Sequence, residues 1–284
     1  MESANIVNNR GRLPSDLNQV ITVARYDLLK HLRSKRLLGL LVLEAVLLGL
    51  MFIVPILLDQ PTAENPADHI SSYIQWVNIL VVLGATMFAG DAIVSEFQNR
   101  TGYLLFPNPV KRSVIFAGKY ISTLLIVLLM LVSYYGVAAL LTLIMTGGSS
   151  ELWVYSMLFA MCYGAAAAAF GFLISSLFKG STGSLVLTFF ALLMIIPMVS
   201  ALLTLGNIEP FFLLTYSAGA ITALMQTPYP QNYSPPLPPM GGGEQMTYWY
   251  YFPDVGVALA VLAAYVVICL LLGFFLFKRR EMVS

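Results

Sequence analysis

The sequence predicts an all-α membrane protein with six transmembrane helices and an N-terminal amphipathic interfacial helix. Three observations predict it. The 284 residues are 58% hydrophobic and only 10% charged, whereas soluble domains carry roughly a quarter charged residues. The apolar residues gather in six long runs, at 37–58, 73–94, 120–145, 152–178, 184–206 and 255–277. All 15 lysines and arginines fall on one side of those runs.

A bilayer core of about 30 Å needs about 20 apolar residues in a helix, and each run qualifies. Backbone polar groups cannot stay unpaired in lipid, so each run is read as a helix. The short alternating segments of a transmembrane barrel are missing. Orientation follows from the bases. Arg10, Arg12, Arg25, Lys30, Arg33, Lys35 and Arg36 precede the first run, and Arg100, Lys111, Arg112 and Lys119 lie between the second and third. Lys179 follows the fourth, and Lys278, Arg279 and Arg280 follow the sixth. Asp59, Glu64, Asp68, Glu151, Glu209 and Glu244 fall on the other side, with Asp254 at its edge. The expected topology is multi-pass in the cytoplasmic (plasma) membrane, with both termini cytoplasmic.

Taken in order, residues 1–14 are polar and aperiodic and read as a disordered cytoplasmic tail. Residues 15–36 read as an amphipathic connecting helix. Ser15 suits an N-cap and Asp16 its first turn. Leu17, Ile21, Ala24, Leu28 and Leu32 form one apolar stripe, with Arg25, Lys30 and Arg33 largely off it. A basic amphipathic helix of this kind lies on a membrane surface, and His31–Arg36 would sit among lipid headgroups. An ordinary solvated helix or an extension of the first span is the plainer alternative.

Between the second and third runs, Gly102 suits a left-handed helix end, and Pro107 and Pro109 forbid continuous helix. Tyr103, Leu104, Leu105 and Phe106 lie between these breaks, rimmed by Arg100, Lys111 and Arg112. From the residues alone, this apolar knob serves equally well as a docking feature or as a loop held against headgroups by its aromatics. In the outer loop at 207–253, residues 211–225 are too short to span. A seventh span there would also carry Lys278, Arg279 and Arg280 outside, so the stretch reads as re-entrant or interfacial. The Pro- and Gly-rich remainder favours extended backbone. Residues 248–252 read as an aromatic interface belt, with a substrate-contacting lid as the sharper alternative. Residues 278–284 form a second cytoplasmic tail.

Glu44 and Asp91 lie at membrane depth, where acids are costly and point to function. Glu44 either pairs with a basic group on a neighbouring helix or is protonated. Asp91 is expected to reach the inner interface and meet a lysine or arginine. In the fourth run, Gly164/Ala168 and Ala167/Gly171 permit close helix approach, within one subunit or across a dimer.

Several chemistries are excluded. No stretch fits GxxxxGK[ST], so the chain lacks that nucleotide-binding loop, and no HExxH occurs. No catalytic residue, metal site, bound cofactor or nucleic-acid partner is expected. His69, beside Asp68, reads as a solvated loop histidine rather than a ligand. Met225, Met240 and Met246 are too irregular for a copper site. Cys162 and Cys269 read as small packing residues.

The order Glu96, Arg100-Thr101-Gly102, Leu104-Leu105, Pro107, Arg112, Gly118-Lys119 resembles the cytoplasmic signature of type-2 ABC exporter permeases. The amphipathic helix, the six spans and Ser175–Lys179 at the end of the fourth span fit as well, so the resemblance covers nearly the whole chain. It implies a type-2 ABC exporter-like permease that dimerises with a second copy, a homodimer in the simplest case. Each copy would bind a separate ABC ATPase subunit, and ATP and Mg would sit on that subunit. The segment 95–119 would carry a coupling helix, with Glu96, Arg100, Gly102, Tyr103, Leu104, Leu105, Phe106, Pro107 and Arg112 toward the ATPase. Arg25, Lys30, Arg33, Lys35 and Arg36 would place the connecting helix among membrane lipids beside the same subunit. The paired Pro107 and Pro109, Tyr103, and the Pro-rich outer loop depart from the family pattern.

Two other readings compete. A secondary transporter predicts matched broken helices and midplane polar groups, but Pro55 and Pro197 are not a matched pair and midplane charge is sparse. A membrane-embedded enzyme or assembly factor without an ATPase is the other. An enzyme needs a nucleophile and base within the spans, and the runs contain no histidine.

Overall fold

The computed structural model describes residues 15–59, 63–98, 110–234 and 249–279. Among them, six helices are long and apolar enough to cross a membrane: Lys35–Leu57, Pro66–Gln98, Arg112–Thr146, Leu152–Leu177, Ser181–Leu205 and Val255–Arg279. They are spans 1 to 6 below. Apart from one isolated bridge, between Tyr233 and Tyr250, the ordered backbone of the described residues is helical. The expected all-α membrane fold is therefore observed.

The helices run past the apolar runs because a helix continues until something stops it. Span 2 starts at Pro66, in the first turn, with Asn65 Oδ1 accepting from Ala67 N at 3.1 Å. Span 3 runs for 35 residues, from Arg112 to Thr146, and stops where Gly147 takes φ of 67°. At the start of span 6, Asp254 Oδ1 accepts from Val257 N at 2.9 Å.

A separate amphipathic helix, Asp16–Leu32, precedes span 1. Ser15 caps it, as expected, accepting from Asn18 N. The helix stops short of residue 36 because Ser34 Oγ accepts from Leu37 N at 3.2 Å and so caps the next helix. Lys35 and Arg36 therefore open span 1 instead of closing the amphipathic helix. The anticipated stripe also divides. Ala24 packs into the bundle, whereas Leu17, Ile21 and Leu32 stay exposed at 68%, 56% and 43%.

Span 2 is the centre of the bundle. In its most apolar stretch 78% of the residues are buried, against 17% in spans 5 and 6. Spans 3 and 4 pack against it, span 6 packs along span 4, and the amphipathic helix lies along span 3. The small residues of span 4 serve these internal contacts: Ala166–Ala169 are fully buried, and Gly171 lies against Ala89 and Gly90 of span 2. Buried tyrosines place their hydroxyls on acceptors, Tyr134 on Tyr73 O at 2.9 Å and Tyr163 on Asn78 Oδ1 at 2.9 Å.

Two spans are irregular. Span 2 widens into a π turn at Ala85–Ala89, then passes through turns at 90–93 into the short helix Val94–Gln98. Span 5 has its own π turn at Ala191–Ile195. Such turns free backbone groups that lipid cannot satisfy. In span 2 a side chain on span 4 supplies the remedy, since Ser175 Oγ accepts from both Ile93 N and Val94 N at 3.0 Å. Replacing Ser175 by alanine strands two buried donors at about 1–3 kcal/mol each. A lowered melting temperature in detergent, with Ser176→Ala as a milder control, is the expected result.

At the opposite end, 213–225 form two short helices, Leu214–Ser217 and Gly219–Ala223. Leu214, Ala220, Ile221 and Ala223 are buried. Ser156 Oγ of span 4 donates to Ile221 O at 2.7 Å, which ties this broken segment between the spans. His69 is not a solvated loop residue. It lies in the first turns of span 2, buried, with Nδ1 3.2 Å from Thr142 Oγ1 and its ring against Tyr73. The Asn65–Pro66 helix start turned it inward.

Candidate functional site

The basic end of the bundle holds two groups of charges. The first forms where the amphipathic helix crosses span 3. Gly118 makes the crossing close: a Cβ there would stand 2.8 Å from Val23 Cβ and 3.1 Å from Val20 O. The next residue, Lys119, points into the crossing and its side chain is only 6% exposed. Its Nζ lies 2.7 Å from Glu96 Oε1 at the end of span 2 and 3.3 Å from Asp27 Oδ1 of the amphipathic helix. Asp27 Oδ2 lies 3.2 Å from His31 Nε2, one helical turn on. The His31 ring meets the edge of Phe88, inside the π turn of span 2. Lys30, on the solvent side, stands 3.9 Å from the same Glu96 oxygen.

A buried ammonium without counter-ions is costly. Here two carboxylates compensate one, and the second ammonium beside Glu96, that of Lys30, lies nearer the surface. Burial alone pushes Asp27 up. The His31 contact and the charges of Lys119, His31 and Lys30 outweigh it and hold this carboxyl well below the ordinary carboxylate range.

The second group forms where spans 1, 2 and 5 meet. Arg36 Nη1 donates to Asp91 Oδ2 at 2.7 Å and to Met87 O at 3.1 Å. The Ser181 hydroxyl donates to Asp91 Oδ1, and Ser181 N donates to Gln98 Oε1 at 2.8 Å. Met87 belongs to the π turn, so Arg36 satisfies one of the carbonyls which that turn exposes. A cavity of about 260 Å³ separates the two groups, lined by Asp27, His31, Arg36, Phe88, Asp91 and Lys119 among others.

The segment between spans 2 and 3 is fixed at both ends. Glu96 precedes it and is buried. After it, Lys111 Nζ pairs with Asp16 Oδ2 at 2.6 Å and Arg112 donates to Lys278 O, at the end of span 6, at 2.6 Å. Glu96 and Arg112 thus make internal contacts rather than standing free on the surface, because each lies within reach of a helix end or a buried counter-charge. Arg100, Gly102, Tyr103, Leu104, Leu105, Phe106 and Pro107 lie outside the described residues. Arg25, Arg33 and Lys35 are exposed.

Asp91 meets a base, as its place near the end of the second run suggested. Glu44 has no cation partner among the described residues. It is buried at 4% exposure, and Ser133 Oγ lies 3.0 Å from its Oε2. The same hydroxyl donates to Met130 O at 2.7 Å.

Sequence reasoning missed Asp27, placed His31 among lipid headgroups, and used Lys119 only as an orienting charge and as part of a motif. One signal was available. Val20, Ala24, Asp27 and His31 follow at spacings of four, three and four, so they share a helix face. Two polar residues on such a face mark a buried contact.

A profile described as ABC-2 family transporter protein matches residues 21–282 of this chain. The chain is also similar to the Probable ABC transporter permease protein NosY of Stutzerimonas stutzeri, 32% identical over 133 residues. That match covers 46% of this chain and 48% of the relative, so it spans about half the length of each.

Proposed function

The chain belongs to the ABC-2 family of transporter proteins, and on that premise we propose that it is the permease subunit of an ATP-driven exporter. A separate ABC ATPase subunit binds ATP and Mg and hydrolyses the nucleotide. The permease works as a homodimer in the cytoplasmic membrane, its basic end and both termini in the cytoplasm and its amphipathic helix among the lipid headgroups. The segment from Arg100 to Arg112 docks on the ATPase through Tyr103, Leu104, Leu105 and Phe106.

One observation carries this reading. Glu96 and Lys119, on either side of that segment, form a buried ion pair closed over by Asp27 of the amphipathic helix. A segment anchored on both flanks passes any displacement to spans 2 and 3 and to the amphipathic helix together. A free loop would absorb it.

The test uses the full chain purified with its ATPase subunit. A Leu104→Glu/Phe106→Glu double variant places two charges in an apolar contact. It is expected to fold normally, to lose the complex on size exclusion and to abolish permease-stimulated ATP hydrolysis. A variant that keeps both the complex and the hydrolysis at wild-type level rules out this segment as the docking element.

A further inference from the structure

Lys30 is largely exposed, and it stands beside the carboxylate that leads into the segment between spans 2 and 3. We infer that Glu96 has two seats, the buried Lys119 and the exposed Lys30, and that Lys30 is a positioning residue that receives Glu96 when the end of span 2 swings outward. The inference rests on the permease reading above.

Four observations support it. Both ammonium groups address the same atom, Glu96 Oε1, Lys119 at 2.7 Å and Lys30 at 3.9 Å. Their surroundings differ sharply: the Lys119 side chain is 6% exposed and the Lys30 side chain 64%. Charge stays balanced in either seat. If Glu96 leaves, Lys119 keeps Asp27 at 3.3 Å, and Asp27 keeps His31 at 3.2 Å. Glu96 meanwhile keeps Lys30, so neither a buried cation nor a carboxylate is stranded. Last, there is room to move. A cleft of about 380 Å³ opens beside the pair, lined by Thr22, Val23, Tyr26, Lys30, Glu96 and Ile115 among others.

The backbone suits such a swing. Glu96 rides on a helix of five residues, Val94–Gln98, separated from the body of span 2 by turns and the π turn. Ser175 holds the backbone of Ile93 and Val94 at its base. That contact is the pivot, and Glu96 is the moving end. A two-state element whose two arrangements both pair their charges is the kind that a modest push biases.

The experiment compares wild type with Lys30→Gln and Lys30→Arg, each reconstituted with the ATPase subunit. Lys30→Gln is expected to leave the melting temperature and the affinity of the complex unchanged. Permease-stimulated ATP hydrolysis should fall about fivefold or more, the lower end of ordinary coupling between sites, and Lys30→Arg should restore it. Exposed pairs are screened by salt, so stimulation in wild type should decline with ionic strength while the Lys30→Gln residue of activity stays flat. Stimulation by Lys30→Gln equal to wild type overturns the second seat. So does a loss of stimulation that merely tracks a lost complex, since Lys30 would then be a docking residue. A wild-type chain that stimulates no ATPase overturns the permease reading itself, and the role of Lys30 with it.

Discussion

Replacing Lys119 by methionine is expected to cost the chain roughly 3–5 kcal/mol of stability, the usual penalty for removing one partner of a buried ion pair. Methionine nearly matches the aliphatic stem, so the packing against the amphipathic helix survives and the loss is electrostatic. Two carboxylates, Asp27 and Glu96, would then face each other with the exposed Lys30 and the His31 ring as their remaining neighbours. The amphipathic helix should detach from span 3 first, because the ion cluster and the close approach at Gly118 are what join them. Thermal unfolding in detergent and protease sensitivity near residues 24–34 measure this. Adding Asp27→Asn and Glu96→Gln to Lys119→Met removes the stranded charges. The triple variant should regain most of the stability, as apolar or neutral replacements of buried ion pairs commonly do. A single variant as stable as wild type would show that the cluster is not holding the helices together.

The second large effect belongs to Gly171. A Cβ at this position stands 2.8 Å from Ala89 Cβ, 3.2 Å from Gly90 N and 3.3 Å from Ala85 O. Two of those atoms are backbone and cannot rotate away. Alanine normally favours a helix over glycine by about 1 kcal/mol, but overpacking of this kind costs about 1–3 kcal/mol. Gly171→Ala is therefore expected to lose stability on balance. Valine adds two further methyls at the same contact, and Gly171→Val should fail to give a monodisperse protein. As spans 2 and 4 part, Ser175 also leaves the backbone donors of Ile93 and Val94. Gly136→Ala is the control, since nothing lies within 4 Å of its Cβ position; only the helix preference acts there, so this variant should be at least as stable as wild type.

These two sites show what sequence reading can and cannot reach. The six spans were legible because lipid imposes one strong constraint, about 20 apolar residues per crossing. The Ser15 cap was legible because capping is local chemistry. The division of the apolar stripe was not. Periodicity shows that Leu17 and Ala24 share an apolar side, but not which part of it is buried in the bundle and which stays exposed. The Gly118-Lys119 pair was legible as a motif, and only the fold shows its physical content: the glycine lets the amphipathic helix approach, and the lysine neutralises what that approach buries. His69 misled for the opposite reason. Its acidic neighbour suggested a loop, whereas the proline start of span 2 had already turned the backbone into a helix. Nor do apolar runs reveal π turns, because the freed backbone groups are answered from other helices, by Ser175 and Arg36.

Span 3 is the longest helix described, 35 residues. At about 1.5 Å per residue it measures roughly 52 Å, while a hydrocarbon core is about 30 Å thick. Upright in the bilayer, about 20 Å of it, divided between its two ends, would stand clear of the oil. The amphipathic helix is fastened along one end of this mast, through Val23, Asp27 and Lys119. Because the two are fastened together, a tilt of span 3 carries the amphipathic helix with it, as a lever carries whatever is fixed to its arm.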